Sequence, residues 1–197
     1  MRPPLHPLAR QGRGLLLVHP LEDVQPLVPA DVADPGRGGN VVWAEPSPAN
    51  DWADAKRLLG QGQGEPLSAK VPAGVAPALA VGFRDGRAVE ITGIVWTQAA
   101  QVDDRTRPWG PLRVAASMDG PLGPWREIGR VEPKAGIAVR LDVPAGTWAR
   151  YLRFRAIDAA GEEQRWVWPQ ALNVLERPID AEHPSAIGAW GMYGRAA

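Results

Sequence analysis

Twenty-two glycines and 21 prolines punctuate a chain of 197 residues, and that density constrains the fold more than any single motif. Proline lacks an amide hydrogen and clashes with the preceding helical turn, while glycine supplies turns and weakens helix interiors. A chain interrupted this often builds turns and short strands at the expense of long helices. The interruptions are uneven. Residues 1 to 38 hold Pro3, Pro4, Pro7, Pro20, Pro26, Pro29 and Pro35, which disfavours helix and central strand and predicts an extended arm. The arm also carries Leu15, Leu16, Leu17, Val18, Leu21, Val24, Leu27 and Val28, too much apolar surface for a free linker. It is therefore expected to lie along its own domain or a partner.

Composition removes several classes of function. Lys and Arg number 22, as do Asp and Glu, so no overall basic field exists to gather nucleic-acid phosphates. The absence of cysteine rules out disulfides, thiolate metal sites and cysteine nucleophiles, and only His6, His19 and His183 supply imidazoles. No segment reaches the roughly 18 apolar residues of a membrane-spanning helix. The run Leu15 to Val18 ends at His19-Pro20, short of a recognisable signal peptide.

From residue 39 to 176 the pattern is that of strands. Ile137 to Val143 alternates apolar and polar residues with period two, as a strand wet on one face does. Weaker versions occur at 79–83, 112–116 and 148–154; in the last, Trp148, Leu152 and Phe154 point inward, Tyr151, Arg153 and Arg155 outward, and Arg150 breaks the phase. Across Gly93 the apolar phase of Val89 to Trp96 switches, which predicts a bulge. Two further strands flank Pro169. One helix of two turns at most is expected at 51–59, stopped by Gly60. Turn signals every 8–12 residues or so point to an antiparallel sandwich or barrel. Residues 177–197, with Ile187, Trp190, Met192 and Tyr193 among Gly and Ala, form a second, apolar tail.

Five segments in order resemble the discoidin, or coagulation factor five/eight type C, domain of the galactose-binding-like superfamily: Asn40 to Ala44; Asp51-Trp52-Ala53 with Leu58-Leu59-Gly60; Val89 to Trp96; Val114 to Gly120 with Pro124-Trp125; and Ala149-Arg150-Tyr151-Leu152-Arg153. The resemblance implies an all-β, antiparallel jelly-roll β-sandwich, here with extended N- and C-terminal arms. It also implies a non-catalytic module that binds sugars, phospholipid head groups or proteins through loops at one end. It favours a place on the bacterial cell envelope or periplasmic side, the bacterial origin being an impression from the Ala, Gly, Arg and Pro content. Many members hold a structural calcium, but Leu59 and Ala171 occupy the places where the resemblance puts its carboxylates. Neither metal nor cofactor is assigned.

The loop 98–110 is the expected site: Asp103, Asp104, Arg105 and Arg107 form a charge cluster, and Trp109 is set to stack on a sugar or partner ring. The bland reading of the same cluster is a solvated, self-neutralising loop. Trp52, Trp96, Trp125 and Trp148 fit core or hairpin-packing places, whereas Trp43, Trp109, Trp166, Trp168 and Trp190 are open to use as surface anchors, and sequence alone does not separate the two sets; Trp43, Trp190 and Tyr193 join the loop residues as candidate ligand or partner contacts. Ser68 and Ser117 lack a nearby His, and Gly60 to Gly64 lacks the Lys-Ser/Thr of a phosphate loop. The expected function is attachment to other protein subunits of a larger bacterial assembly through the arms and loops. The alternative is a carbohydrate-binding module using Trp109.

Overall fold

A computed structural model of the chain describes residues 29–46, 56–60, 67–99 and 106–178. These residues form twelve strands: β1 (Asn40–Glu45), β2 (Ser68–Val71), β3 (Ala78–Gly82), β4 (Val89–Gln98), β5 (Thr106–Pro108), β6 (Leu112–Ser117), β7 (Arg126–Val131), β8 (Ala138–Asp142), β9 (Trp148–Ala149), β10 (Tyr151–Ala156), β11 (Gln164–Val167) and β12 (Pro169–Glu176). Five make one sheet in the order β1-β3-β10-β6-β7, and β12-β4-β8 make a second of four strands when β9 is counted against β4. The two face each other as a β-sandwich, every pairing within them antiparallel. A small third sheet, β2-β11-β5, closes one end, and β5 runs parallel to β11 in it. No helix among the described residues is long and apolar enough to cross a membrane.

The alternation expected at 137–143 is present in β8, where Val139 and Leu141 pack against the core while Ala138, Arg140 and Asp142 are exposed. The expected bulge lies at Thr92. The β12 register steps from Leu175 opposite Gly93 to Glu176 opposite Ile91, so Thr92 has no partner and its hydroxyl donates to the Leu175 carbonyl at 3.2 Å. One extra residue inverts the pleat. Val89 and Ile91 point inward before it and Ile94, Trp96 and Gln98 after it.

A second phase slip has a different cause. Trp148 and Ala149 pair with Glu90 and Val89 of β4, whereas Tyr151 onward pairs with β3 and β6. Arg150 is thus where the chain crosses between sheets. Its amide donates to the Ser117 carbonyl at 2.9 Å and its carbonyl accepts from Phe83 at 3.3 Å.

Residues 29–38 of the expected arm are described, and part of this stretch lies along its own domain. The backbone of residues 30–32 bonds to the edge of β12 through Val32 N to Val174 O and Glu176 N to Ala30 O, and Val32 and Ala33 are buried in the core. Apolar side chains with a free strand edge beside them outweigh the local proline content. Of the helix expected at 51–59, residues 51–55 lie outside the described residues; Lys56–Leu58 is a single 3-10 turn. Leu58 and Leu59 are buried, and Gly60 ends the turn at φ +68.

Tryptophan joins the layers. Trp96 of β4 lies 5.5 Å from Phe154 of β10 and 5.4 Å from Trp109, which is 5.0 Å from Trp168, all between ring centroids. Trp109, Trp166 and Trp168, which sequence left open as surface anchors, are buried: the segments that close the end of the sandwich turn their largest rings inward. Trp96→Ala is expected to cost about 3–5 kcal/mol, read as a lower urea midpoint. A Cβ at Gly39 would sit 2.0 Å from the Ala33 carbonyl oxygen, whereas one at Gly74 (φ +79) meets nothing within 4 Å. Gly39→Ala should therefore lose about 2 kcal/mol or more through forced backbone movement, and Gly74→Ala only about 1 kcal/mol through its left-handed backbone. Equal losses in the two variants would contradict this account of the packing.

Candidate functional site

Register defines the two ends of the sandwich. Asn40, Gly82, Tyr151 and Ser117 lie in one row across β1, β3, β10 and β6, and the loops that follow or precede them gather at that end. Leu112 and Ala156 pair at the opposite end. Trp109, three residues before Leu112, belongs there and is 2% exposed. It cannot serve as a stacking platform for a ligand while its faces are covered by Trp96 and Trp168. Arg107 is also at that end, its guanidinium 4.8 Å from the centre of the Trp166 ring. Asp103, Asp104, Arg105, Trp190 and Tyr193 lie outside the described residues.

The outer face of the five-stranded sheet carries small residues, Ala80 and Gly82 on β3 and Ala115 on β6, both strands being almost wholly buried. This leaves room for the β6–β7 connection, residues 118–125, to fold over the sheet. Trp43 holds it there: its Nε1 donates to the Pro121 carbonyl. Trp125 lies beside Arg153, whose guanidinium carbon is 4.9 Å from the ring centre. Burial first, and the neighbouring Arg155 second, pull the Arg153 pKa below its ordinary value. Ser117 braces the start of the loop, its hydroxyl oxygen accepting from the amides of Asp119 and Gly120 at 3.3 Å each.

Between this loop and the β8–β9 loop lies a recess of about 440 Å³. Trp125 and Trp148, both half-buried, line it together with the exposed Met118, Asp119 and Arg126. Its volume falls within the range of small-ligand sites, which combine aromatic walls with a few polar groups. Two indoles offer flat apolar faces, Asp119 offers acceptors and Arg126 donors. On the other side of the 148–150 segment is a larger groove of about 850 Å³ whose lining includes Arg37, Arg84, Arg87 and Arg150. Arg87 is held there by two bonds to the Glu176 carboxylate, 2.7 and 2.8 Å. Beneath it, Glu90 accepts from Gly146 N at 2.8 Å and lies 3.0 Å from Arg177 Nε; that nitrogen has no well-aligned hydrogen bond, so the contact is an ion pair.

The calcium that the family resemblance implies does not fit the residues at its expected place. Leu59 and Ala171 are buried and apolar. Beside them Asn173 Nδ2 donates to Gly60 O at 2.8 Å and Asp31 Oδ2 at 2.9 Å, and Asp31 Oδ1 accepts from Val174 N and Ala33 N. A hard cation takes six or more oxygens; here amide hydrogens occupy the oxygens. Among the described residues no three His, Asp or Glu side chains come together.

The pocket residues were hard to read from sequence. Trp125 and Trp148 pass for hairpin-packing residues, and the usable signal was their position: each adjoins a Gly- and Pro-bearing turn at the same end of the fold. Trp43→Phe tests the tether. It should lower stability by about 1 kcal/mol and speed amide hydrogen exchange in residues 118–123; unchanged exchange there would sink the role given to Trp43.

Comparison of the sequence with protein families and with curated proteins gives no match. Comparison of the fold does. A CBM32-5 module from Clostridium perfringens in complex with GalNAc-β-1,3-galactose superposes with TM-score 0.55 at 15% identity, over 74% of this chain and 99% of that one. The family 32 carbohydrate-binding module of C. perfringens NanJ, in complex with galactose, gives 0.54 at 14%, over 76% and 100%. Allantoicase from Saccharomyces cerevisiae gives 0.56 at 13%, over 75% of this chain but 43% of the enzyme. At these identities the likeness concerns the fold alone: the described residues form an antiparallel β-sandwich of the fold seen in these modules.

Proposed function

We propose that this chain is a non-catalytic carbohydrate-binding module whose ligand sits in the recess between Trp125 and Trp148. The observation that carries the reading is the pair of half-buried indoles lining one recess with Asp119 and Arg126. A pyranose has an apolar face of C–H groups and a rim of hydroxyls; indole faces complement the first and the carboxylate and guanidinium the second. Similar folds solved with galactose and with GalNAc-β-1,3-galactose support the class of ligand. Among the described residues Asp119 is the one carboxylate lining the recess, whereas glycoside hydrolysis in most enzymes requires two, which supports binding without turnover. This reading replaces Trp109 and the 98–110 loop with Trp125 and the 118–126 loop as the platform.

Attachment to other protein subunits is a compatible second role, grounded in the apolar residues of the two terminal stretches. Deleting residues 1–28 should release such a partner without unfolding the sandwich, because the segment that pairs with β12 begins at Ala30.

Affinity electrophoresis against galactose- and N-acetylgalactosamine-bearing glycans tests the main reading. Trp125→Ala should weaken binding more than about tenfold, as loss of a central aromatic anchor does, with little change in Tm. Trp109→Ala should instead lower Tm through the core. Binding that survives both Trp125→Ala and Trp148→Ala would move the site elsewhere, and a panel with no retarded glycan would remove the reading itself.

A further inference from the structure

The groove beyond Arg150 has a charge that the whole chain does not. The sequence is electrically balanced, yet among the described residues four guanidiniums, Arg37, Arg84, Arg87 and Arg150, share this groove with two carboxylates, Asp85 and Glu176. Glu176 is nearly buried and both its oxygens are taken by Arg87, so that pair is internally neutral. Arg84 and Asp85 approach to 3.5 Å with both side chains largely in solvent, where such a pair is weakly held. Arg37 and Arg150 are exposed and have no carboxylate partner among the described residues. Two cations are left facing the groove.

The position of Arg150 ties this surplus to the aromatic recess. A single residue, Ala149, separates it from Trp148, its own amide is bonded to Ser117, and both Trp148 and Ser117 line the recess. We infer that the ligand is an acidic glycan, the apolar face of one ring lying against Trp125 and Trp148 and a carboxylate or sulfate of an adjoining residue entering the groove of Arg37 and Arg150. Guanidinium is suited to this task, since its planar fork matches the oxygen pairs of both anions. The inference rests on the carbohydrate reading and adds to it the charge of the ligand.

Isothermal titration of the full chain with three oligosaccharides of matched length decides it: a neutral galactan, a galacturonan and a sulfated galactan, at low salt and at about 0.5 M salt, where exposed charges are screened within a few ångströms. At low salt at least one acidic ligand should bind about tenfold tighter than the neutral one, and the advantage should vanish at high salt; which acidic ligand gains identifies the anion. The double variant Arg37→Gln/Arg150→Gln, exposed on both counts, should keep its Tm and bring the acidic-to-neutral ratio near one. Equal binding of neutral and acidic ligands by the native chain, or an unaltered ratio in the double variant, overturns the inference while leaving neutral binding through Trp125 intact. Loss of the carbohydrate reading looks different, because then no oligosaccharide binds, and the inference falls with it. Capture by phosphatidylserine vesicles that survives Trp125→Ala, with no preference among the glycans, would overturn it too and give the groove to phosphate head groups.

Discussion

Trp96 is the contact on which the rest of the sandwich depends. Its ring meets Phe154 from the opposite sheet and Trp109 from the closing end, and Trp109 in turn meets Trp168, so one row of rings fastens three sheets together. The arrangement has a cost. Among the described residues the buried Nε1 atoms of Trp109, Trp166 and Trp168 find no hydrogen-bond acceptor, and a donor left so costs about 1–3 kcal/mol. Each indole also removes about 150–250 Å² from water, worth roughly 4–6 kcal/mol at about 25 cal/mol per Å² as an upper estimate. Burial wins, and a chain with two Phe and two Tyr has few other large rings with which to fill that volume.

That core fixes strands, and the strands fix where loops emerge. Both recesses open at the Ser117 end because β3, β6 and β10 are in register there. The small outer residues of β3 serve the same end: a Cβ at Gly82 would lie 3.0 to 3.1 Å from Asn40, Tyr151 and Val42 atoms, so the face is already filled by its neighbours. Trp43 lies on β1, away from the loop tips, and takes part only through its hold on Pro121.

Much of the fold was legible in the sequence where period-two patterning is local. The alternation of β8 and the phase switch at Gly93 are properties of a few adjacent residues, and both are present with the expected faces. The exceptional status of Arg150 was also visible, although its cause, a change of sheet, depends on partners distant in sequence. The candidate site was less legible for the same reason. Whether a tryptophan is buried depends on what crosses over it: Trp109 is covered by rings from β4 and from the β11–β12 junction, while Trp125 sits at a loop end with one side on Arg153. The pairing of residues 30–32 with β12 joins stretches about 140 residues apart, and no local pattern announces it.

The sheet crossing at Arg150 has a consequence for how such a chain can change. Side chains alternate along a strand, so adding or removing one residue at this junction would turn Leu152 and Phe154 toward water and bring Arg153 into the core. The loop crowns carry no such alternation, and Leu122, 84% exposed beside the Pro121 that Trp43 holds, stands where a change of length leaves the pleat of both sheets untouched. Ligand preference can therefore drift by lengthening or shortening the crowns, while the spacing between Trp148 and Leu152 has to stay at its present count.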